Sequence, residues 1–145
     1  MMTVEGLMTR DVVTLQESDD LCRAERILAQ RHIRHLPVTR GNKLVGLVTH
    51  RDLIRALARE RDRAHPELVW AEDVMTCQMR TVGPDTPLRE ALHTLMDNKL
   101  GCLPVVDNDG NLVGIVTEAD FLRYCDQLLA GIDQRETAAE YEADA

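Results

Sequence analysis

The chain of 145 residues contains two copies of one sequence pattern, and this duplication limits its fold more than any other feature. When the chain is aligned with itself at a shift of 67 residues, Met8-Thr9 matches Met75-Thr76 and Leu36-Pro37-Val38 matches Leu103-Pro104-Val105. One residue inserted in the second copy then raises the shift to 68. At that shift Leu44–Thr49 matches Leu112–Thr117. Neither copy, at roughly 60 residues, has many large apolar side chains of its own. We therefore expect the two copies to bury their apolar faces against each other.

The pattern of each copy predicts a strand, a helix, a hairpin of two strands and a second helix. In the first copy Ser18, which two acids follow, is expected to cap the first helix. Gly41-Asn42 and Asp109-Gly110 each separate two β-prone runs, and glycine tolerates the positive φ that a tight turn requires. The second helix of the first copy is expected to run from about His50 to Arg63.

These elements predict an α+β fold in which two β-α-β-β-α repeats pack as a pseudo-two-fold pair. We assign the first repeat to residues 1–65 and the second to residues 66–127. The acidic C-terminal tail comprises residues 128–145, and beyond Ile132 it is rich in Glu and Ala with no apolar periodicity that needs a core. It is expected to form a helical extension or a disordered tail.

The charge of the chain is uneven and narrows the range of partners. The formal net charge is −8: residues 1–70 carry 12 basic and 10 acidic side chains, and residues 71–145 carry 5 and 15. Because cations supply affinity for phosphate backbones and aromatic rings stack on bases, a chain with four aromatic residues and this charge is not expected to bind nucleic acid. No apolar run approaches the roughly 20 residues that cross a bilayer, and no secretory signal is visible, so we expect a cytoplasmic protein without a membrane partner.

The sequence contains no recognisable catalytic or metal-binding motif. A nucleophile elbow, a phosphate-binding glycine loop and a His-Glu-x-x-His pair are all missing. His32 and His35 do not form a helical metal pair, because Leu36-Pro37 indicates that the helix has ended before His35. The four cysteines lie far apart and are expected to be free thiols. We therefore expect a protein that is not an enzyme, with no catalytic residue, no metal and no required cofactor.

The polar feature that recurs is Thr-x-x-Asp directly after a buried strand: Thr49 with Asp52, and Thr117 with Asp120. In one interpretation this is a capping box, in which each side chain accepts a hydrogen bond from a free N–H group at the helix start. In the other, the N–H groups, the hydroxyl and the carboxylate bind the phosphate and ribose of a nucleotide. The chemistry of the residues leaves both interpretations open.

The duplicated pattern of Met-Thr, Leu-Pro-Val and Gly-h-h-Thr-x-x-Asp, in which h is an apolar residue, resembles a tandem cystathionine-β-synthase (CBS) domain pair, or Bateman module. The resemblance covers about residues 3–127. It implies a regulatory, energy-sensing module that binds an adenosine-containing ligand, AMP, ADP or ATP, in clefts between the repeats and signals to an unidentified effector protein. The adenine nucleotide would be a regulatory ligand.

The resemblance also implies which residues bind the nucleotide. Asp52 and Asp120 correspond to the family's ribose-binding aspartates, Thr49 and Thr117 to its threonine or serine, and Arg51 to a phosphate-binding position. In the second copy Glu118 and Ala119 stand where the first has His50 and Arg51, which disfavours a polyphosphate there. The residues implied to hold the base are Thr14, His35, Leu36 and Pro37 in the first copy, and Thr81, Cys102, Leu103 and Pro104 in the second.

Other functions stay open beside this one. The chain could be a ligand-free interaction scaffold, a regulator of a redox partner through Cys102 or Cys125, or a sensor of S-adenosylmethionine or NAD. Because CBS pairs commonly associate through helical faces, the resemblance implies a homodimer. Its interface is expected to include Leu53, Leu57, Phe121 and Leu122.

Overall fold

The first repeat builds a three-stranded sheet with helices beside it. The computed structural model describes residues 1–144 of the chain. In this sheet the first strand lies parallel to the second, and the second and third form an antiparallel hairpin whose turn residue Gly41 has a φ of 61°. The elements are β1 (Leu15–Gln16), α1 (Leu21–Arg31), β2 (His35–Arg40), β3 (Lys43–Thr49), α2 (His50–Leu57), α3 (Glu60–Ala64) and α4 (Ala71–Val74), with a 3₁₀ turn at Pro66–Leu68.

The second repeat follows the same order. Its antiparallel hairpin turns at Gly110, which has a φ of 84°, and Val82 bridges Val105 in the parallel sense where β1 stands in the first repeat. Both predicted hairpins and the duplicated α+β fold are therefore confirmed. The elements are α5 (Leu88–Asn98), β4 (Cys102–Val106), β5 (Leu112–Thr117) and α6 (Glu118–Asp144), and a 3₁₀ turn at Val4–Gly6 opens the chain.

The start of α1 differs from the prediction. Asp20 caps this helix, because its side chain accepts a hydrogen bond from the backbone N–H of Arg23 at 2.9 Å. Ser18, which we expected to be the cap, lies two residues earlier in a turn that Asp19 closes by accepting a hydrogen bond from Gln16 N at 2.7 Å. The sequence pattern identified the region but not which of three adjacent polar residues would cap the helix.

The helix predicted over residues 50–63 is interrupted. α2 ends at Leu57, and α3 starts at Glu60 after an extended residue, Arg59, whose ψ is 124°. This break turns the chain back, so that α3 packs on α2 and the 3₁₀ turn packs on α1. At the other end of the protein α6 continues to Asp144, which makes the tail a helical extension. No helix within residues 1–144 is long and apolar enough to cross a membrane.

Each repeat is completed by the segment that precedes the other one. Thr9 pairs with Ile115 through two backbone hydrogen bonds of 2.9 Å, and Thr76 pairs with Leu47 through bonds of 3.0 and 2.9 Å. Met8 is accordingly buried in the core of the second repeat, although it precedes the first repeat in the chain. The two Met-Thr segments are thus exchanged between the sequence copies.

Glycine in the Gly-h-h-Thr-x-x-Asp motif makes room for the exchanged segments. A Cβ atom on Gly114 would lie 2.6 Å from the Sδ of Met8 and 3.0 Å from the carbonyl oxygen of Thr9. A Cβ atom on Gly46 would collide in the same way with Met75. Because a methionine lies directly on each strand, no residue with a side chain fits there without displacing it.

The two repeats also share a small apolar cluster. Leu47 of the first sheet packs with Cys102 and Ile115 of the second, and Val12 and Met79 flank them from the two connecting segments. The hairpin tips hydrogen-bond to each other through the backbone, from Leu44 N to Gly110 O (3.2 Å) and from Leu112 N to Asn42 O (2.9 Å). These contacts join the repeats along the full length of their hairpins.

We predict that Gly114→Ala lowers the free energy of unfolding by about 1–3 kcal/mol, because the added methyl group overpacks the site against Met8. Denaturant unfolding of the single variants and of Gly114→Ala/Met8→Ala should show coupling, since Met8→Ala removes the shortest of the close contacts. Gly131→Ala, whose Cβ would meet nothing within 4 Å, is the matched control and should be neutral or slightly stabilising. Strictly additive effects at Gly114 and Met8 would contradict the explanation.

Candidate functional site

The first Thr-x-x-Asp motif forms a capping box at the start of α2. The backbone N–H of Asp52 donates to Thr49 Oγ1 at 3.1 Å, and the backbone N–H of Thr49 donates to Asp52 Oδ2 at 2.9 Å. The Thr49 hydroxyl also reaches Asp52 Oδ2, at 3.0 Å. The capping interpretation is therefore correct for this motif, and the question becomes which atoms the cap leaves available.

The second motif is bound more tightly into the protein. Thr117 donates to Asp120 Oδ2 from its backbone N–H at 2.8 Å and from its hydroxyl at 3.3 Å. The other oxygen, Asp120 Oδ1, accepts from Arg123 Nη2 at 2.6 Å and from the hydroxyl of Thr9 at 3.3 Å. Asp120 is only 4% exposed. Both of its carboxylate oxygens are consequently engaged by the protein.

The two aspartates therefore differ in availability. Asp52 is half-buried, and the hydrogen bonds that its carboxylate accepts within residues 1–144 all go to Oδ2. Its Oδ1 receives no protein donor in that part of the chain. An incoming hydroxyl donor can reach Asp52 without breaking a protein contact, whereas at Asp120 it must displace Thr9 or Arg123.

The strand starts implied to hold the base lie beside these helix starts. The backbone N–H of His50 donates to Arg34 O at 2.9 Å, and that of Glu118 donates to Gly101 O at 3.2 Å. Each of these carbonyls immediately precedes β2 or β4. The structure thus brings His35, the first residue of β2, close to the first turn of α2.

The Leu-Pro pairs are packed inside the repeats. The side chains of Leu36 and Leu103 are fully buried, one in each repeat's core, and those of Pro37 and Pro104 are also buried. Pro37 lies opposite Leu47, whose backbone groups bond to the exchanged segment on its other side. Proline, which lacks an N–H group, therefore loses no hydrogen bond in the hairpin.

The remaining candidates lie at the surface. Thr14 is half-buried directly before β1, and Arg51 is exposed in the first turn of α2. Thr81 is exposed and lines a polar depression of ≈450 Å³ with Arg80, Asp107 and other residues of the second repeat. That depression includes neither Thr117 nor Asp120, so the structure does not bring Thr81 into one cavity with the second motif.

His35 connects the two repeats. A Cβ atom on Gly101 would lie 2.6 Å from His35 Nε2 and 3.9 Å from Glu118 Oε1, which places the three residues together. Burial lowers the pKa of His35, and the nearby Glu118 carboxylate partly opposes this effect. Residue patterns did not predict that Glu118 faces His35, because the contact crosses the pseudo-two-fold relation and is not local in sequence.

Cys102 does not have the properties of a reactive thiol. It is 5% exposed at the start of β4, and burial raises its pKa to about 12. The neutral thiol is therefore the form present at physiological pH, whereas the thiolate is the nucleophile. Within residues 1–144, no three His, Cys, Asp or Glu side chains come together as metal ligands.

The sequence model of the CBS domain matches residues 4–59 and 71–127. The chain belongs to the CBS domain family. Homoserine O-acetyltransferase from Methanohalobium evestigatum is 32% identical over 86% of the chain, and inosine-5'-monophosphate dehydrogenase from Korarchaeum cryptofilum is 36% identical over 80%. The chain spans only about a quarter of the length of these two enzymes, 24% and 23% respectively.

Solved structures similar to the chain match it over most of their length. A protein named for acetoin utilization from Vibrio cholerae superposes with a TM-score of 0.83 at 35% identity and covers 92% of this chain and 97% of its own. CBSX2, from Arabidopsis thaliana, was solved in complex with AMP and gives 0.77 at 29% identity, with coverage of 88% and 98%. The CBS pair of protein MJ0100, in complex with 5-methylthioadenosine and S-adenosyl-L-methionine, gives 0.76 at 27%, also with coverage of 88% and 98%.

We predict that His35 makes stability depend on pH in the mildly acidic range. Because its folded-state pKa is lowered, its contribution to stability is present above about pH 6.5 and is lost as pH falls toward the folded pKa. Melting temperatures between pH 7 and 5.5 should therefore fall less steeply for His35→Gln than for the wild type. His93→Gln, at an exposed position of α5, is the matched control and should retain the wild-type slope. An unchanged slope in His35→Gln would contradict the lowered pKa of His35.

Proposed function

We propose that the chain is a regulatory module that binds an adenosine-containing ligand, AMP, ADP or ATP, at the Thr49–Asp52 motif and signals the occupancy to an effector protein in the cytoplasm. The observation that carries the proposal is the open oxygen, Asp52 Oδ1, beside the N-terminus of α2. No cofactor and no catalytic residue are part of this function.

The chemistry of this position suits a nucleotide. Ribose hydroxyls are hydrogen-bond donors, and a half-buried carboxylate oxygen without a protein donor can accept from them. The N-terminus of a helix favours an anion, since its N–H groups and dipole carry partial positive charge. Arg51, exposed one residue before Asp52, adds a full positive charge for a phosphate.

The second motif is expected to be the weaker site. Asp120 already accepts from Arg123 and Thr9, and Glu118 stands where the first repeat has His50. A phosphate placed there would meet a carboxylate in the first turn of α6. We therefore assign the charged nucleotide to the first site and expect the second to take, at most, a less charged adenosine compound.

The comparisons support an adenosine ligand without deciding which one. AMP is the ligand of the CBSX2 complex, and 5-methylthioadenosine and S-adenosyl-L-methionine are those of the MJ0100 pair. All three contain a ribose with hydroxyls that Asp52 could accept from. S-adenosylmethionine is therefore the second candidate, and it differs from ATP in carrying no phosphate for Arg51. A ligand panel scored by melting temperature would distinguish the two and would also test the alternative of a scaffold without a ligand.

The alternative of a redox-partner regulator finds less support. Of the two cysteines that could carry it, Cys102 is buried as a neutral thiol. Cys125 is exposed on α6, five residues after Asp120, and its helix contains no second cysteine. A redox role would therefore depend on Cys125 alone.

We also propose that the module is a homodimer that associates through helical faces. Leu122 is 70% exposed, and Leu57 and Phe121 are half-buried, so these residues can contribute to such an interface. Leu53, which we expected at the interface, is buried in the core of its own repeat. The exposed apolar side chain of α2 is its neighbour Ile54, because the helix turns Leu53 toward the sheet.

We predict that Asp52→Ala removes most nucleotide binding, while Asp120→Ala mainly lowers stability. Leaving ribose hydroxyls unpaired costs about 1–3 kcal/mol of binding free energy, or roughly one to two factors of ten in affinity. Calorimetric titration of each variant with AMP and ATP, beside a denaturant unfolding curve, measures both effects. In the wild type the Asp52 site should bind about one nucleotide per chain, with a higher affinity than the Asp120 site.

Asp20→Ala is the matched control for this experiment. Asp20 caps α1 but lies outside the Thr-x-x-Asp motifs, so its loss should cost about 1 kcal/mol of stability and leave nucleotide affinity unchanged. If Asp52→Ala behaved like Asp20→Ala, the aspartate would be a cap only, and the proposed site would be wrong.

We predict that Arg51→Ala weakens ATP binding by about 1 kcal/mol, or fivefold, and weakens AMP and adenosine less. The loss for ATP should be larger at low ionic strength, since salt screens exposed charges. Titrations at two salt concentrations with the three ligands measure this, and Arg26→Ala, an exposed arginine on α1, is the control. Equal weakening of all three ligands would mean that Arg51 does not contact phosphate.

A further inference from the structure

The ring of His35, from the first repeat, fills the space that a side chain at position 101 of the second repeat would need. A Cβ atom on Gly101 would lie 2.6 Å from Nε2 and 2.9 Å from Cε1 of His35. Of the glycines that the structure describes, Gly41 and Gly110 have a positive φ, and Gly101 does not. Glycine at position 101 is therefore explained by the close approach of His35 and not by the conformation of the backbone.

This contact lies at the second candidate site, around Thr117 and Asp120. Gly101 directly precedes β4, whose first residues are implied to hold the base. Its carbonyl oxygen accepts from the backbone N–H of Glu118 at 3.2 Å, and Glu118 lies two residues before Asp120 in the first turn of α6. The ring of His35 therefore lies where β4 and α6 begin, and a ligand of the second motif would contact both of these segments.

The other groups that close the second site can give way more easily than this ring. The side chain of Arg123 is 68% exposed, so water can replace its contact with Asp120 at little cost. The hydroxyl of Thr9 reaches Asp120 only at 3.3 Å, which is long for a bond between oxygen atoms. His35 is half-buried, and burial is the main reason that its pKa is lowered. A neutral ring packed against the protein must leave those contacts before a ligand can take its place.

The contact is not repeated on the other side of the pseudo-two-fold relation. In the self-alignment His35 corresponds to Cys102, and Gly101 corresponds to Arg34. Cys102 has a short side chain that is 5% exposed and packs in the apolar cluster that the two repeats share. Arg34 is exposed. The first repeat therefore places a ring over the second candidate site, whereas Cys102 of the second repeat points into the shared cluster.

We propose that His35 is a gate that the first repeat supplies to the second site, so that a ligand reaches Asp120 only after the ring has left Gly101. This inference rests on the proposed function, because it requires that the Thr-x-x-Asp motifs bind adenosine compounds. A site that is open for only a fraction of the time binds its ligand with an affinity reduced by that fraction. The gate thus limits the chain to about one tightly bound ligand, although its fold contains two motifs.

The gate is tested in a chain from which the first site has been removed by Asp52→Ala. Adenosine is the probe, because it has no phosphate that would meet the carboxylate of Glu118. In calorimetric titration we expect Asp52→Ala/His35→Ala to bind adenosine about tenfold more tightly than Asp52→Ala, or better, as for a site that the ring leaves open about a tenth of the time or less. Adding Asp120→Asn, which keeps one oxygen for the cap, should remove the gain. A gain that survived Asp120→Asn would overturn the gate, since the new binding would lie elsewhere.

A second variant and a control separate the gate from the proposed function. His35→Cys introduces the residue that the fold holds at the corresponding position 102, and in the Asp52→Ala chain it should open the second site as well. His93→Ala, at an exposed position of α5, is the matched control and should leave adenosine affinity unchanged in that chain. Unfolding curves show which variants are folded.

The outcomes for the two proposals differ. If the wild type binds AMP, Asp52→Ala abolishes that binding, and neither His35 variant gains affinity for adenosine, the gate is overturned and the first site stands. If neither the wild type nor any His35 variant binds an adenosine compound, the proposed function is overturned together with the gate.

Discussion

The rest of the structure depends on two pairs of backbone hydrogen bonds, one between Thr9 and Ile115 and one between Thr76 and Leu47. They fix how the two repeats are placed against each other. Each pair holds a methionine against a glycine of the other copy, so neither repeat has a complete core without the segment that precedes its duplicate. Two repeats of about 60 residues become one folding unit by this exchange, since small units alone bury too little surface to be stable. The same segment carries Thr9 to Asp120, which links the exchange directly to one of the two candidate sites.

The capping box and the candidate ligand site use the same carboxylate, and the structure separates these roles by oxygen atom. In both repeats one oxygen accepts from the threonine and stabilises the helix start. The second oxygen is open at Asp52 and engaged at Asp120. A cap needs only one acceptor, so the second oxygen of Asp52 is left free to accept from a ligand without loss of the cap. This difference is the physical reason for placing the ligand at the first repeat.

Structural features that depend on neighbouring residues in the sequence were predictable, and features that depend on contacts between distant parts of the chain were not. The self-alignment predicted both hairpins and the order of elements, because turn glycines and alternating apolar residues act locally. It did not predict that Asp20 rather than Ser18 caps α1, or that α2 stops at Leu57, since the break serves packing on α1. At the site, the Thr-x-x-Asp pairs were visible in the sequence. The proximity of His35 to Glu118 was not, because only the folded arrangement brings those parts of the two repeats together.

A duplicated chain starts from two equal halves, so each departure from equality points to a constraint that acts on one half only. Two such departures coincide here: the open oxygen of Asp52 lies in the first repeat, and an open apolar groove between α5 and α6 lies in the second. If both repeats bound the same ligand and packed on the same surface, we would expect the open oxygen and the open groove to occur in both repeats. Their division favours a molecule in which one repeat binds the ligand and the other offers the groove.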